Sequence, residues 1–125
     1  MEYDARYIEK DDLSALREVD GLLAREGLQR DAHLDRTLGL YDGQNRLVAT
    51  GSAFANTLRC LAVDQALQGE GLMARVVTRL MEDLFYAGIS HVFVYTKPEA
   101  EKLIADLGFY PIVRVPGSLS FMENR

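Results

Sequence analysis

The chain of 125 residues carries 14 basic and 19 acidic side chains, a formal net charge of −5. One domain with its own apolar core is expected at this length, and the acidic balance argues against a nucleic-acid-binding surface. No apolar run could span a membrane, the N-terminus lacks the pattern of a signal peptide, and the single cysteine excludes an internal disulfide, so a cytoplasmic protein is expected.

The first third of the chain predicts a strand, a helix and an irregular connection. Residues 3–9 alternate between apolar and polar side chains, which is typical of a strand. An acidic pair at residues 11–12 can cap the helix that follows, whose apolar side chains recur at helical spacing. Gly21 could interrupt this helix, and Gly27 is expected to end it. The polar segment 29–36 is interpreted as a solvated connection, with the acceptor side of a cleft as the alternative.

Three strands are expected before the next helix. Residues 37–41 and 46–54 flank Asp42-Gly43-Gln44-Asn45, which has strong turn chemistry, so these two strands are expected to form an antiparallel pair. Gly51 lies inside the second strand and predicts either a bulge or a close backbone approach. Another tight turn leads into a third strand, residues 57–63.

Residues 71–87 predict a long amphipathic helix. Its polar side includes Arg79 and Asp83, which are spaced for an ion pair across one turn. Residues 91–96 follow and are interpreted as a buried strand. Because a single helix connects them, the strands 57–63 and 91–96 are expected to be parallel. The expected apolar side of the helix consists of Leu72, Met73, Val76, Val77, Leu80, Met81, Leu84 and Phe85.

The C-terminal part predicts a short helix and a closing hairpin. Thr96-Lys97-Pro98-Glu99 has the pattern of a capping box with proline in the first turn. The helix it opens is expected to stop at Gly108, and residues 109–115 and 118–122 flank a Pro-Gly turn. The predicted fold class is therefore α/β, a mixed sheet with helices on its faces and the element order β-α-β-β-β-α-β-α-β-β.

The segment most informative about function is 63–72, where a strand passes through a glycine-rich turn into the long helix. The first N–H groups of a helix lack intrahelical partners and lie at the positive end of its dipole. Glycines at that point let an anion approach the backbone closely, so the arrangement suits a phosphate or pyrophosphate.

Two other phosphate-binding motifs fit this segment poorly. A P-loop would require a Gly-Lys-Ser/Thr sequence, which is absent. The spacing of Gly69-x-Gly71-x-x-Ala74 matches the dinucleotide-binding fingerprint, but its surroundings do not. The next strand ends in Thr96-Lys97, where that fold would place a ribose-binding acidic residue. The run of antiparallel strands before the motif also differs from the repeated strand-helix-strand layout of that fold.

The order of elements, Gln68-Gly69-Glu70-Gly71-Leu72 at the strand-to-helix junction and the later Asp106-Leu107-Gly108-Phe109 resemble the GNAT acyltransferase family. The family pattern Arg/Gln-x-x-Gly-x-Gly/Ala falls on Gln68, Gly71 and Met73, where Met73 departs from the preference for a small residue.

The resemblance implies a coenzyme A-type ligand, either coenzyme A or acetyl-coenzyme A. Its pyrophosphate would be held by the backbone N–H groups of the loop, and its pantetheine arm would lie between the strands 57–63 and 91–96, which separate from each other. The ligand-binding residues implied in this way are Leu61, Val63, Gln68, Gly69, Glu70, Gly71, Leu72 and Met73.

A narrower resemblance is to the N-terminal GNAT-like domain of citrate lyase ligases, which acetylate the prosthetic thiol of the citrate lyase acyl-carrier subunit. It implies that acetate activation by ATP, with release of AMP and pyrophosphate, belongs to a following nucleotidyltransferase domain that residues 1–125 do not contain. The chain is therefore expected to be a single GNAT-like domain of a longer ligase, unable to perform the ligation alone. The resemblance is carried by residues 58–63, 68–72, 94–97, 115–117 and 122–124.

Acetyl transfer to an amine needs a base and an acid that reprotonates the departing thiolate. The strand before the loop offers Arg59 and Cys60 but no carboxylate. Tyr95 and Tyr110 are the candidate acids, although a tyrosine in such a position more often has a structural role. Because successive strand residues face opposite sides, Arg59 is not expected to activate Cys60, which is interpreted as a small buried hydrophobe. Lys97 could neutralise a phosphate or be a solvated residue at the helix start.

Three functions remain open from the sequence. The first is a domain of citrate lyase ligase that holds the carrier's prosthetic group, which the resemblance implies is derived from dephospho-coenzyme A, and presents its thiol. The second is a free-standing acetyl-coenzyme A-dependent N-acetyltransferase, and the third is a non-catalytic interaction module. No metal site is expected, because His33 and His91 show no ligand spacing. Neither a nucleic acid nor a membrane is expected as a partner.

Overall fold

A computed structural model describes residues 2–124, which form one seven-stranded sheet with helices on both faces. The strand order across the sheet is β1-β2-β3-β4-β5-β7-β6. All neighbouring strands are antiparallel except β4 and β5. The strands are β1 (Asp4–Tyr7), β2 (Arg36–Tyr41), β3 (Leu47–Phe54), β4 (Thr57–Val63), β5 (Phe93–Thr96), β6 (Phe109–Val115) and β7 (Leu119–Asn124), and the helices are α1 (Leu13–Arg25), α2 (Leu72–Tyr86) and α3 (Glu101–Asp106).

The predicted fold class, element order and parallel pair are confirmed. Helices α2 and α3 share one apolar cluster with the sheet, which includes Leu80 and Ile104. Helix α1 packs on the opposite face through a smaller cluster that includes Val19 and Ala62. The sheet is thus the middle layer of three, and the carboxyl ends of β4 and β5 lie between helices of both faces.

The glycine and capping predictions for α1 are largely confirmed. The Asp12 carboxylate accepts a hydrogen bond from the Ala15 N–H at 3.1 Å, which caps the first turn. The helix runs through Gly21 without interruption. It ends where Gly27 takes a φ of +74°, so that the Leu28 N–H can donate to the Leu23 carbonyl at 2.8 Å.

Three other local predictions are wrong. Phe85, expected on the buried side of α2, is 48% exposed. The strand 91–96 is buried on one side only, and Tyr95 is exposed on the other. The capping box at Thr96 does not form, because Thr96 stays in β5 opposite Ser120. A 3-10 turn, Pro98–Ala100, precedes α3. No side chain caps the start of this turn or the start of α3.

A bulge in β4 decides the shape of the sheet near its centre. Cys60 and Leu61 together oppose Gly51 of β3, since the register between these strands shifts by one residue there. Cys60 has a φ of +55°, an unusual backbone conformation for a residue other than glycine. Both alternatives predicted from Gly51, a bulge and a close approach, are therefore realised.

Gly51 leaves no room for a side chain. A Cβ atom there would lie 2.6 Å from Leu61 Cδ2 and 2.6 Å from Val76 Cγ1, both of which belong to buried side chains. The absence of a side chain therefore lets α2 and the bulged strand pack closely on β3.

We expect Gly51→Ala to lower the free energy of unfolding by about 1–3 kcal/mol, because the added methyl group overpacks the core. Gly43→Ala is the matched control, since a Cβ atom at that turn position meets no atom within 4 Å. Chemical denaturation of the two variants and the parent protein measures the difference. Equal stability of the two variants would contradict the close approach.

An ion-pair cluster fastens the C-terminal hairpin to α3. Glu101 accepts hydrogen bonds from Arg114 Nη2 at 2.7 Å and Arg114 Nε at 3.1 Å, and from Ser120 Oγ at 2.6 Å. The hydrogen bonds from Arg114 and Ser120 lower the pKa of the Glu101 carboxyl to about 2 from an ordinary value of 4.5.

Because this pKa is lower in the folded state than in the unfolded state, the stabilisation is fully present above pH 4.5. It is lost as the pH falls from there to about 2. We expect Glu101→Gln to show a smaller loss of stability over this interval than the parent, as measured by urea denaturation at a series of pH values. Glu82→Gln, on the exposed side of α2, should keep the parent's pH dependence, and an identical profile for all three proteins would refute the assignment.

Candidate functional site

The loop between β4 and α2 is held in shape by its own side chains. Asp64 accepts a hydrogen bond from the Ala66 N–H at 2.9 Å and so caps a short 3-10 turn. The Gln68 amide reaches back and donates to the Val63 carbonyl at 3.0 Å. Gly69 and Gly71 follow with φ values of +87° and +78°, which favour glycine. The sequence therefore builds a preformed turn directly before α2.

The start of α2 is open to an anion. Gly71 is the N-cap residue of the helix. No side chain caps the helix start, and the first turn contains no acidic residue. The backbone N–H groups of the first turn are therefore available, and the helix dipole favours negative charge there. A ligand can approach closely, since no atom lies within 4 Å of a Cβ position at Gly69 or Gly71. These residues fit the pyrophosphate group that the GNAT resemblance implies.

Glu70 and Met73 are the two residues of the loop that depart from a simple anion site. The Glu70 carboxylate accepts a hydrogen bond from the Tyr3 hydroxyl at 3.4 Å and does not line the cavity at the loop. Met73 does line that cavity, and its half-buried side chain packs against the core. The negative charge of Glu70 is thus held to one side, while the bulk of Met73 contributes an apolar wall.

A cavity of about 340 Å³ extends from this loop along the α2 face of the sheet. Its walls come from the end of β4, the glycine loop, the start of α2 and the beginning of the α3 segment. It contains most of the residues predicted to bind the ligand, which are Val63, Gln68, Gly69, Gly71, Leu72 and Met73.

A second cavity, of about 360 Å³, lies beyond the end of the paired part of β4 and β5. These strands are paired only at Thr57–Phe93 and Leu58–Val94, after which they separate. The predicted ligand residue Leu61 and the predicted acid Tyr95 both line this second cavity. The other residues around it come from the connection after α1, from β4 and from the closing hairpin, and they include Leu28, Gln29, Asp31, Arg59, Cys60, Ser118 and Leu119.

Lys97 lines both cavities. It is half-buried and follows directly on β5. The Lys97 ammonium donates a hydrogen bond to the Glu26 carbonyl oxygen at the end of α1. The side chain thus reaches across the gap between β4 and β5 towards the helix of the opposite face.

The second cavity contains a charged pair that the sequence did not indicate. Arg59 Nε lies 2.9 Å from Asp31 Oδ2, and the Arg59 guanidinium lies 4.8 Å from the centre of the Tyr95 ring. Asp31 belongs to the polar segment 29–36, for which a solvated connection is the first interpretation from the sequence. Gln29 and Asp31 of that segment line the second cavity, as the alternative interpretation expects, whereas Ala32, His33 and Asp35 are exposed.

Arg59 and Cys60 line the same cavity, which corrects the expectation that they face opposite sides. The bulge breaks the alternation of the strand at this point. Burial nevertheless raises the pKa of the Cys60 thiol, and its Sγ lies 3.8 Å from the Gln29 carbonyl oxygen. Cys60 is therefore a protonated, half-buried side chain, in keeping with its interpretation as a small hydrophobe.

The second candidate acid, Tyr110, lies away from Tyr95. Its hydroxyl donates to the Glu123 carboxylate at 2.5 Å, and it does not line either cavity. The same carboxylate is 2.7 Å from His91 Nε2. This cluster lies near the start of β5, whereas the two cavities meet beyond its end. The structure thus brings Tyr95 but not Tyr110 to the candidate site.

Neither a metal-binding cluster nor a membrane-spanning helix is found in the described part of the chain. No three His, Cys, Asp or Glu side chains of residues 2–124 come together in a way that could hold an ion. In the same range no helix is both long enough and apolar enough to cross a membrane.

Curated relatives of this chain are citrate lyase ligases. The protein from Klebsiella pneumoniae is 34% identical over 106 residues, which are 85% of this chain and 31% of that protein. The protein from Escherichia coli strain K12 is 31% identical over 99 residues, which are 77% of this chain and 28% of that protein. The chain thus spans less than a third of the length of these relatives. No protein-family profile matches it.

Solved structures share the fold at low sequence identity. Escherichia coli ElaA has a TM-score of 0.80 at 14% identity, covering 99% of this chain and 100% of that one. A GNAT-family acetyltransferase from Staphylococcus aureus has a TM-score of 0.73 at 11% identity, covering 97% and 98%. N-acetylglutamate synthase from Neisseria gonorrhoeae, solved with coenzyme A and L-arginine, has a TM-score of 0.72 at 17% identity, covering 98% and 33%.

Proposed function

We propose that this chain, which has the GNAT fold and is homologous to part of citrate lyase ligase, is the domain of such a ligase that binds a coenzyme A-type prosthetic group. Its task would be to hold the prosthetic arm of the citrate lyase acyl-carrier subunit and to present the terminal thiol for acetylation. The activation of acetate by ATP would belong to another part of the ligase.

The observation that carries this proposal is the uncapped start of α2, which opens into a cavity leading to the gap between β4 and β5. Such a path suits a ligand with a phosphate-rich end and a long, narrow arm. The structural neighbour from Neisseria gonorrhoeae was solved in complex with coenzyme A, which supports a ligand of that class here.

In this proposal the backbone N–H groups around Gly71 bind the pyrophosphate, and Gln68 keeps the loop closed onto β4. Val63 and Met73 provide apolar contacts for the first part of the arm, and Leu61 for its end. The prosthetic group itself supplies a thiol that can carry an acyl group as a thioester.

A specific observation favours presentation of a thiol over acetylation of an amine. Among residues 2–124, the carboxylate that lines the second cavity belongs to Asp31. Its Oδ2 atom is paired with Arg59 Nε at 2.9 Å. A carboxylate in such a pair is a poor general base, since taking up a proton would break the ion pair. The acetyl-coenzyme A-dependent N-acetyltransferase is therefore the second candidate, with Tyr95 as its acid.

The test is calorimetric titration of the purified domain with coenzyme A, with dephospho-coenzyme A and with the holo-carrier subunit. We expect binding of all three, and no hydrolysis or transfer from acetyl-coenzyme A in the presence of amine acceptors. If none of the three ligands binds, the proposal is refuted and the non-catalytic interaction module is favoured. Rapid transfer to an amine would favour the N-acetyltransferase instead.

We expect Gly71→Val to weaken binding of coenzyme A at least tenfold, because a β-branched side chain opposes the left-handed backbone and covers the N–H groups. Gly88→Val is the matched control at the other end of α2, where φ is +89° and an added Cβ atom also meets no atom within 4 Å. Both variants should lose a similar ~1–2 kcal/mol of stability. Equal affinities of the two variants, measured in the same titration, would contradict the assignment of the loop.

A further inference from the structure

Lys97 occupies the point at which the two cavities meet. It is the residue shared by the walls of both. An arm anchored by its phosphates at the glycine loop and passing between β4 and β5 would reach Lys97 where the second cavity begins. Its reactive end would then lie among Leu61, Tyr95 and Lys97.

The charge of Lys97 is not neutralised by any carboxylate among residues 2–124. Its ammonium donates instead to the neutral carbonyl oxygen of Glu26, and no salt bridge to this ammonium is formed within that range. A half-buried ammonium that has only a carbonyl partner can gain further stabilisation from an anion.

The other ionisable groups around the two cavities do not compete for this role. Arg59 and Asp31 are paired with each other. Burial raises the pKa of the Cys60 thiol, so Cys60 brings no negative charge. Tyr95 lies beside the Arg59 guanidinium, and Glu99 is an exposed residue on the wall of the first cavity. Lys97 is thus the cation available to a new anion between the strands.

We propose that Lys97 binds the thiolate form of the thiol presented in this site and thereby activates it as a nucleophile. This inference rests on the proposed function, since it requires that the domain binds a thiol-ended arm. A nearby ammonium favours the charged form of a thiol, which lowers the pKa of the thiol and increases the fraction of reactive thiolate at neutral pH.

The reaction served by this contact is acyl transfer from a mixed anhydride of a carboxylic acid and AMP. The thiol proton is released to water when the ammonium of Lys97 takes up the thiolate. The sulfur then forms a bond to the acyl carbon, the bond from that carbon to the bridging oxygen breaks, and AMP leaves with the electron pair. Lys97 keeps its proton throughout, so it acts as a positive charge and not as an acid.

The first experiment measures the thiol of bound coenzyme A directly. The domain is held in excess at concentrations well above its Kd, and alkylation of coenzyme A by iodoacetamide is followed by chromatography over a range of pH. We expect the midpoint of the rate profile to lie about one pH unit or more below that of free coenzyme A. The coenzyme A product itself is quantified, and only initial rates are used, so that Cys60, which lines the same cavity, is still unmodified during the measurement.

Two variants assign the effect to Lys97. Lys97→Met removes the charge and should return the midpoint to the value of free coenzyme A. Lys102→Met is the matched control, because Lys102 is an exposed residue on α3 that lines neither cavity, and it should keep the parent's midpoint.

Lys97→Met could also weaken the binding of coenzyme A itself. The affinity for S-methyl-coenzyme A, which cannot form a thiolate, keeps the test decisive in that case. For the parent protein, coenzyme A should bind more tightly as the pH rises from the bound to the free midpoint, whereas S-methyl-coenzyme A should not. An equal loss of affinity for both ligands in Lys97→Met would overturn the inference, since Lys97 would then contact another part of the ligand.

The outcomes separate the two proposals. Binding of coenzyme A with the alkylation midpoint of the free compound would overturn the role of Lys97 and leave the proposed function standing. No binding of coenzyme A, dephospho-coenzyme A or the holo-carrier to the parent protein would overturn both. A lowered midpoint that persists in Lys97→Met would also overturn the assignment to this residue.

Discussion

The close approach of α2 to the bulged part of β4, across the bare backbone of Gly51, is the constraint on which the rest of the site depends. Two residues of β4 oppose one of β3 at this point, so the strand bends and its later residues leave the path of β5. The pairing of β4 and β5 ends after Leu58 and Val94. One missing side chain in the core thus allows the bulge, the bulge opens the sheet, and the opening provides a passage between the two faces.

The loop that follows depends on the same geometry. Val63 ends β4 on the α2 face, where its carbonyl receives the side chain of Gln68. This contact fixes the entry of the chain into the two glycines that precede α2. The direction of the helix start, and hence of its free N–H groups, is therefore set by the strand that forms one side of the passage. In the proposed function, an anion held there and an arm threaded between the strands would therefore belong to a single continuous arrangement.

Much of the fold could be predicted from the sequence, because the residues that determine its helices and turns act locally. The periodicity of α2, the turn residues between strands, Gly27 after α1 and the glycines before α2 each act within a few positions. The capping box at Thr96 failed because pairing with Ser120 across the sheet outweighed a local preference of the same residues. The pair between Arg59 and Asp31 could not be predicted, since it joins residues 28 positions apart through a bulge that also reverses the side chain alternation.

The distribution of charge around the passage bears on which kind of nucleophile the proposed site would serve. The cavity at the glycine loop offers backbone N–H groups to phosphates, the junction of the two cavities has a half-buried ammonium, and the second cavity has an arginine and a carboxylate that neutralise each other. An enzyme that acetylates an amine has to remove a proton from its acceptor, and a paired carboxylate performs that step poorly. A thiol needs no strong base, because a nearby positive charge is enough to make it nucleophilic. The site is therefore better matched to a substrate that carries its own nucleophile on a long arm than to a small amine.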